Sequence, residues 1–251
     1  MSYLQNKNGA KILDAGCGRG FYMKALDQML ENAEICGCEL NKEYIGELKK
    51  YNSIKNKITI KNASINKIPY PDKYFDFIIC SEVLEHVPDD IGALGELTRV
   101  LKDNGNMLVT VPAKNYPFLW DPLNFILERL FRWHVPSRIH WLAGIWADHL
   151  RLYKIEEIEK KVVDTGLVIE KKQTATYISL PFIHFLLYGV GKNIIKYKLA
   201  TNDFNRFNLD AKESLLLKIV RLPIYFFDGF NKYINNPKRY LNIMMIIKKH
   251  N

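Results

Sequence analysis

The chain has 251 residues, 48% of them hydrophobic, and carries a formal charge of +9. That length supports one α/β domain with appendages and a real core, and the charge is unevenly placed: residues 192–251 hold twelve Lys and Arg against four Asp and Glu, which is +8 of the total. A membrane-spanning helix is excluded, because the longest apolar stretch, Tyr177 to Gly191, is interrupted by Pro181 and His184 and falls short of the ~20 residues required.

Cys17, Cys36, Cys38 and Cys80 all fall in the first third and lack zinc-ligand spacing, so they read as small buried residues in a reducing compartment. Met1 to Ala10 is polar and shows no cleavable signal. The expected location is cytoplasmic.

The elements follow in chain order. Lys11 to Ala15 reads as a strand and Phe21 to Asn32 as a helix burying Phe21, Leu26 and Leu30. Glu34 to Leu40 is a second strand, Lys42 to Tyr51 a helix, and Ile58 to Asn62 a third strand. Pro69 to Asp76 makes a turn, and Phe75 to Cys80, apolar on both faces, reads as a central strand. A helix from Asp90 to Leu101 is expected to stop at Asp103-Asn104-Gly105, before a strand from Met107 to Val111 that Pro112 breaks. Regularity then lapses until a helix over Lys154 to Asp164 and strands over Leu167 to Lys172 and Leu241 to Lys248. Strands alternating with helices predict an α/β fold with a parallel, doubly wound sheet.

The most informative segment is Ile-Leu-Asp-Ala-Gly-Cys-Gly-Arg-Gly at residues 12–20, with Glu39 nineteen residues after Gly20 at the end of the next apolar run. A buried strand, a glycine turn, a helix and an acidic residue closing a second strand form a unit that holds a nucleoside-bearing cofactor, with the carboxylate placed for a ribose diol. A dinucleotide fingerprint would need glycine at position 21, where Phe21 stands. The segment instead resembles the first motif of the class I S-adenosylmethionine-dependent methyltransferases, a strand ending in Asp or Glu followed by G-x-G-x-G. The resemblance is strong over residues 9–112 and weaker over 148–172 and 241–249.

The resemblance implies a Rossmann-like, mostly parallel sheet of seven strands, closed by an antiparallel pair formed from the last two. It also implies S-adenosylmethionine as cofactor, held by Asp14 toward the methionine ammonium, by the turn of Gly16, Cys17, Gly18, Gly20 and Phe21, and by Glu39 beside Leu40 toward the ribose. Asn62, Ala63 and Ser64 then border the base, where the family usually has an acidic residue, and Ser81 and Glu82 complete the cofactor set. Residues 113–153 and 173–240 become two insertions in one methyltransferase domain. Many relatives have a helix before the first strand that roofs the acceptor, so here the insertions must supply the roof.

Ser81-Glu82-Val83-Leu84-Glu85-His86 resembles the segment after the fourth strand of small-molecule methyltransferases, including those of the ubiquinone pathway. On a helical turn Glu82, Glu85 and His86 would share one face and could hold a divalent metal; the plainer reading has Glu85 near a helix start and His86 bordering the cleft, and no metal is expected. His86 is the first candidate base, followed by His149 and Tyr153. Trp120, Trp133, Trp141 and Trp146, with His134, His140 and His149, cluster between residues 120 and 149. That segment is either an aromatic-walled lid or a satellite core.

The apolar and basic segment Tyr177 to Tyr240 suits either helices lying in a membrane interface or a cap over the cleft. The expected activity is methyl transfer to an oxygen, or to nitrogen or carbon, of a small or lipid-like acceptor, with peripheral membrane contact through 177–235. The rivals are an RNA or protein methyltransferase docking through the basic region, although no nucleic-acid module is recognisable, and a scaffold that binds the cofactor without turnover.

Overall fold

Four segments rich in Ile, Leu, Cys and Phe can bury both faces only inside a parallel sheet covered by helices, and this governs the arrangement. A computed structural model describes residues 9–51, 53, 55–139, 142–178, 222, 226–227, 229–234 and 238–250. The strands are β1 (Lys11–Ala15), β2 (Glu34–Glu39), β3 (Lys57–Asn62), β4 (Phe75–Ser81), β5 (Leu101–Pro112), β6 (Leu167–Ala175) and β7 (Asn242–Lys249). The helices are α1 (Phe21–Met29), α2 (Lys42–Leu48), α3 (Asp90–Val100), α4 (Pro122–Phe131) and α5 (Ile155–Asp164).

All seven strands join one sheet in the order β3-β2-β1-β4-β5-β7-β6, with β4 central as expected. β1 pairs in parallel with β2 and β4, β2 with β3, and β4 with β5. β7 runs against its neighbours: Leu241, just before it, bonds to Ala113 after β5 and to Ala175 at the end of β6, whereas Lys249 at its far end reaches the Leu101 carbonyl at the start of β5. On one face Ile12, Ile35, Phe77 and Ile79 pack with Met23 and Leu26 of α1 and Leu48 of α2. The chain changes winding direction between β1 and β4, and in such sheets ligands bind beyond the carboxyl ends of the strands at that point.

The chain divides into two compact units. The first comprises Met1–Val111, Ile155–Gln173 and Met244–Asn251 and contains most of the sheet; the second comprises Pro112–Lys154 and Thr174–Ile243. Within the second, Tyr116, Ile145, Leu152 and Leu241 form a core with Trp120, Phe125 and Trp146 against it. Glu128 ties this core together by accepting from the Tyr116 hydroxyl at 3.0 Å and from Trp146 Nε1 at 2.6 Å, and His134 stacks on Trp146 with ring centres 4.0 Å apart. His140, Trp141 and most of the basic segment 177–235 lie outside the described residues.

Three expectations need correction. α3 does not continue to a stop at Gly105: it ends at Val100 because Leu101 already pairs with Phe75. The next partner pair is Phe77 with Asn106, so residues 102–105 bulge out of β5, with Asn104 rather than Gly105 at positive φ. α1 is shorter than expected and leaves Phe21 37% exposed, since the buried arc begins at Met23. Finally, the stretch expected to be irregular contains α4, started by Asp121, whose side chain accepts from Asn124 N, and by Pro122 in the first turn.

α3 and α5 are joined by Lys161, whose Nζ lies 2.6 Å from the buried carboxylate of Asp90. Removing one partner of a buried ion pair costs about 3 kcal/mol, whereas exposed pairs contribute less than about 1 kcal/mol. Lys161→Ala is therefore expected to lower the urea midpoint clearly, and Lys160→Ala, which breaks the exposed Lys160–Asp164 pair, to leave it nearly unchanged.

Candidate functional site

β1 ends at Ala15, and the chain then turns through Gly16, Gly18 and Gly20 at φ of 74°, 51° and 77° before α1 begins at Phe21. Gly16 and Cys17 continue the ladder past the strand end by donating to the Cys38 carbonyl at 2.9 and 3.0 Å. A Cβ on Gly16 would sit 2.6 Å from Val83 Cγ2, so the segment after β4 closes directly on the turn. A Cβ on Gly18 would meet nothing within 4 Å. The turn is thus packed on one side and open at its middle glycine, where a ligand can lie against bare backbone.

Glu39 ends β2, and its carboxylate organises the turn. Oε2 accepts from Gly18 N at 2.8 Å, and Oε1 accepts from Leu40 N at 2.8 Å and Asn41 N at 2.7 Å. Asn41 itself caps α2 by accepting from Glu43 N and Tyr44 N. Leu40 is 64% exposed beside this carboxylate. Asn62 at the end of β3 donates through Nδ2 to the Glu39 and Leu40 carbonyls, at 2.8 and 3.1 Å. Its amide nitrogen therefore holds the end of β2. Ala63 N donates to the Glu39 carbonyl at 3.2 Å, and Ser64 Oγ accepts from Asn66 N at 3.2 Å.

Asp14 lies inside β1 and is 2% exposed. Burial pushes its carboxyl up to about 7; a hydrogen bond from the Met23 backbone opposes this, and the charge of Glu39 adds to it. Its Oδ2 is buried without a hydrogen-bond partner among the described residues. The neighbouring Cys17 thiol is likewise buried, and desolvation followed by the charges of Asp14 and Glu39 holds it far above the ordinary thiol range.

Beyond β4 the hydroxyls form a line. Thr110 Oγ1 donates to Glu82 Oε1 at 2.9 Å, so it must accept from Ser81 Oγ at 2.8 Å, which in turn accepts from the Tyr22 hydroxyl at 3.1 Å. Tyr22 and Thr110 were not among the residues expected here. Thr110 is legible only from the strand register that sets it opposite Ser81.

The idea of a shared helical face for Glu82, Glu85 and His86 does not hold. Glu82 takes a left-handed backbone at φ 55°, and only Leu84–His86 forms a single 3-10 turn. Within that turn His86 Nε2 lies 3.7 Å from Glu85 Oε1. Glu85 is fully buried, and desolvation with the Glu82 charge holds its carboxyl well above the ordinary range. In the second unit, His149 N donates to the Trp146 carbonyl at 3.3 Å, and Tyr153 is fully buried in a bridge with Ala113.

The arrangement selects its ligand by charge. Two carboxylates flank the glycine turn, one with an unsatisfied oxygen, and the Gly18 N–H that could cradle a phosphate is already given to Glu39. A pyrophosphate would be repelled there. A ligand carrying positive charge would instead be attracted there, and the open side of Gly18 leaves space against the turn.

Comparison with known proteins agrees. Residues 13–109 match the family model described as a methyltransferase domain. Over 107 residues the chain is 34% identical to an uncharacterized methyltransferase of Schizosaccharomyces pombe, covering 39% of this chain and 38% of that protein. It is 28% identical over 130 residues to the demethylmenaquinone methyltransferase of Bacillus licheniformis, covering 51% and 56%. It is 30% identical over 120 residues to the ubiquinone biosynthesis O-methyltransferase of Haemophilus ducreyi, covering 43% and 50%. The matched region thus spans about half or less of these relatives. Among solved structures, the S-adenosylmethionine-dependent methyltransferases of Mesorhizobium loti and Archaeoglobus fulgidus superpose with TM-scores of 0.57 and 0.56. They cover 99% of this chain in both cases and 94% and 89% of theirs, at 14% and 16% identity, so what is shared is the fold. Residues 13–109 are thus a methyltransferase domain, and over this region the chain is similar to S-adenosylmethionine-dependent methyltransferases.

Proposed function

We propose that this chain transfers a methyl group from S-adenosylmethionine to an oxygen, or to a nitrogen or carbon, of a small lipophilic acceptor. The observation that carries the reading is the carboxylate of Glu39 fixed against Gly18 N at 2.8 Å beside an open glycine backbone. The two relatives named for demethylmenaquinone and ubiquinone biosynthesis support a small, lipophilic acceptor.

S-adenosylmethionine, when bound, supplies a methyl group already activated by the positive charge on sulfur. The chain's own residues then have to bind, orient and manage one proton. Glu39 accepts from the ribose hydroxyls while keeping its backbone donors, Asp14 accepts from the methionine ammonium through Oδ2, and Gly18 lets the main chain come close. Holding the reacting atoms in line accounts for most of the acceleration. His86, at the end of its turn and 3.7 Å from Glu85, takes the acceptor proton.

Removing charge-assisted hydrogen bonds of this kind costs about 1.5–3 kcal/mol. Glu39→Ala is therefore expected to weaken S-adenosylhomocysteine about 10- to 100-fold by calorimetry, while NADH gives no thermal shift with the wild type. An unchanged affinity in that variant removes the proposal. Incorporation of labelled methyl into phenolic or quinone-like acceptors tests turnover separately; tight cofactor binding with no turnover on any of them identifies a scaffold.

The raised Asp14 carboxyl gives a pH signature. In the free protein the folded chain keeps this proton to about pH 7, whereas the unfolded chain loses it near 3.8. Stability contributed by Asp14 therefore falls as pH rises through that window. A bound cation pulls the same carboxyl down, so affinity for S-adenosylmethionine should rise with pH up to about 7 and then level off, with proton release below 7. Calorimetry in buffers of different ionisation enthalpy should detect that proton in the wild type and miss it in Asp14→Asn.

The two sides of the glycine turn separate folding from binding. Gly16→Ala must take φ 74° and meet Val83 at 2.6 Å, and Val83 is β-branched and stiff; a loss of about 2–4 kcal/mol in stability is expected. Gly18→Ala carries only the backbone strain of φ 51°, about 1–2 kcal/mol. Its cofactor affinity should nevertheless fall at least about tenfold, because the methyl group enters the open side.

A further inference from the structure

Most helices bury their apolar stripe. α4 does the reverse. Its inward positions are Asn124, Phe125 and Glu128, and Asn124, fully buried, is held by Asp121, the Ala143 carbonyl and Val135 N. Glu128 is held by Tyr116 and Trp146. Leu123, Ile126 and Leu130, three and four residues apart, are exposed on the opposite face, and Phe131 and Trp133 extend the ridge. Leu130, Phe131 and Trp133 are 71%, 68% and 51% exposed, which is far from the scattered single residues that need no explanation.

The ridge is bordered by positive charge. The guanidinium carbons of Arg129 and Arg239 lie 3.4 and 4.7 Å from the centre of the same Phe125 ring. Arg239 Nη1 is buried without an acceptor, and no carboxylate among the described residues pairs with either arginine. Arg132 closes the helix in a left-handed conformation. Two like charges beside one ring, without a carboxylate partner among the described residues, fit an anion that comes from outside the chain.

We infer that the α4 ridge of Leu123, Ile126, Leu130, Phe131 and Trp133 docks in the interface of an anionic lipid bilayer, with Arg129 and Arg239 toward the lipid phosphates. Apolar and aromatic side chains flanked by arginines are the combination that an interface accepts, the rings at headgroup depth and the cations against the anionic surface. A second copy of the chain is a poorer occupant. A twofold contact through this face would bring its own arginines together. The inference concerns the second unit alone and does not depend on the methyl-transfer reading.

The test uses the full chain with vesicles of phosphatidylcholine, alone or mixed with phosphatidylglycerol. Co-sedimentation is expected with the mixed vesicles, weakened by salt, and reduced at least about tenfold by Ile126→Glu with Leu130→Glu and severalfold by Arg129→Gln. These positions are exposed, and circular dichroism checks that the fold persists. A second measurement labels Leu130→Cys with a polarity-sensitive thiol probe, the native cysteines all being buried; its emission should shift to the blue only with the mixed vesicles. Binding that ignores the α4 substitutions assigns the attraction to the basic residues elsewhere and overturns the inference. So does the absence of binding, or a probe already blue-shifted in a protein that elutes as a dimer.

Discussion

A single carboxylate, that of Glu39, gathers three backbone N–H groups that no strand partner could reach. Gly18 N belongs to the glycine turn, and Leu40 N and Asn41 N belong to the exit of β2. Backbone donors near a core must be satisfied, and beyond the end of a parallel ladder only a side chain can do it. The consequence spreads in both directions. Gly16 and Cys17 are held on the Cys38 carbonyl, α1 begins directly after Gly20, and Asn41 is positioned to cap α2. Asn62 then braces the Glu39 carbonyl from β3. The ends of three strands are thus drawn to one small region by groups that are not part of the sheet.

How much of this is legible in sequence depends on what each element reports. β1 and β4 announce themselves because a strand buried on both faces is mostly apolar, and Asp14 and Glu39 stand out because an acidic residue in or at the end of such a run has few other reasons to be there. α4 stays hidden because pattern reading assumes that apolar residues face inward, whereas its buried residues include Asn124 and its exposed ones include Leu, Ile and Phe. The bulge of β5 and the hydroxyl line from Tyr22 to Glu82 are invisible for another reason. Each depends on which residues of two strands lie side by side, and register is a property of the assembled sheet. The Glu82-Glu85-His86 spacing misled because one left-handed residue cancels a helical phase.

The two units also differ in electrostatic character. Around the glycine turn the charged groups are carboxylates, Asp14 with an oxygen unpartnered among the described residues and Glu39 held by three backbone N–H groups. Around Phe125 they are guanidinium groups. Each unit keeps its own core and its own polar braces, Asp14 and Glu39 in one and Asn124 and Glu128 in the other. Sign, rather than size, separates the ligands that each can accept.

Cys17 stands within the turn that would meet a sulfonium, an alkylating agent by nature. Only a thiolate attacks such a carbon at useful speed, and the buried Cys17 sulfur, next to Asp14 and Glu39, keeps its proton far beyond neutral pH. Burial above all, reinforced by the charges of Asp14 and Glu39, therefore keeps this sulfur a poor nucleophile, so that a cysteine here would not consume a sulfonium lying against the turn.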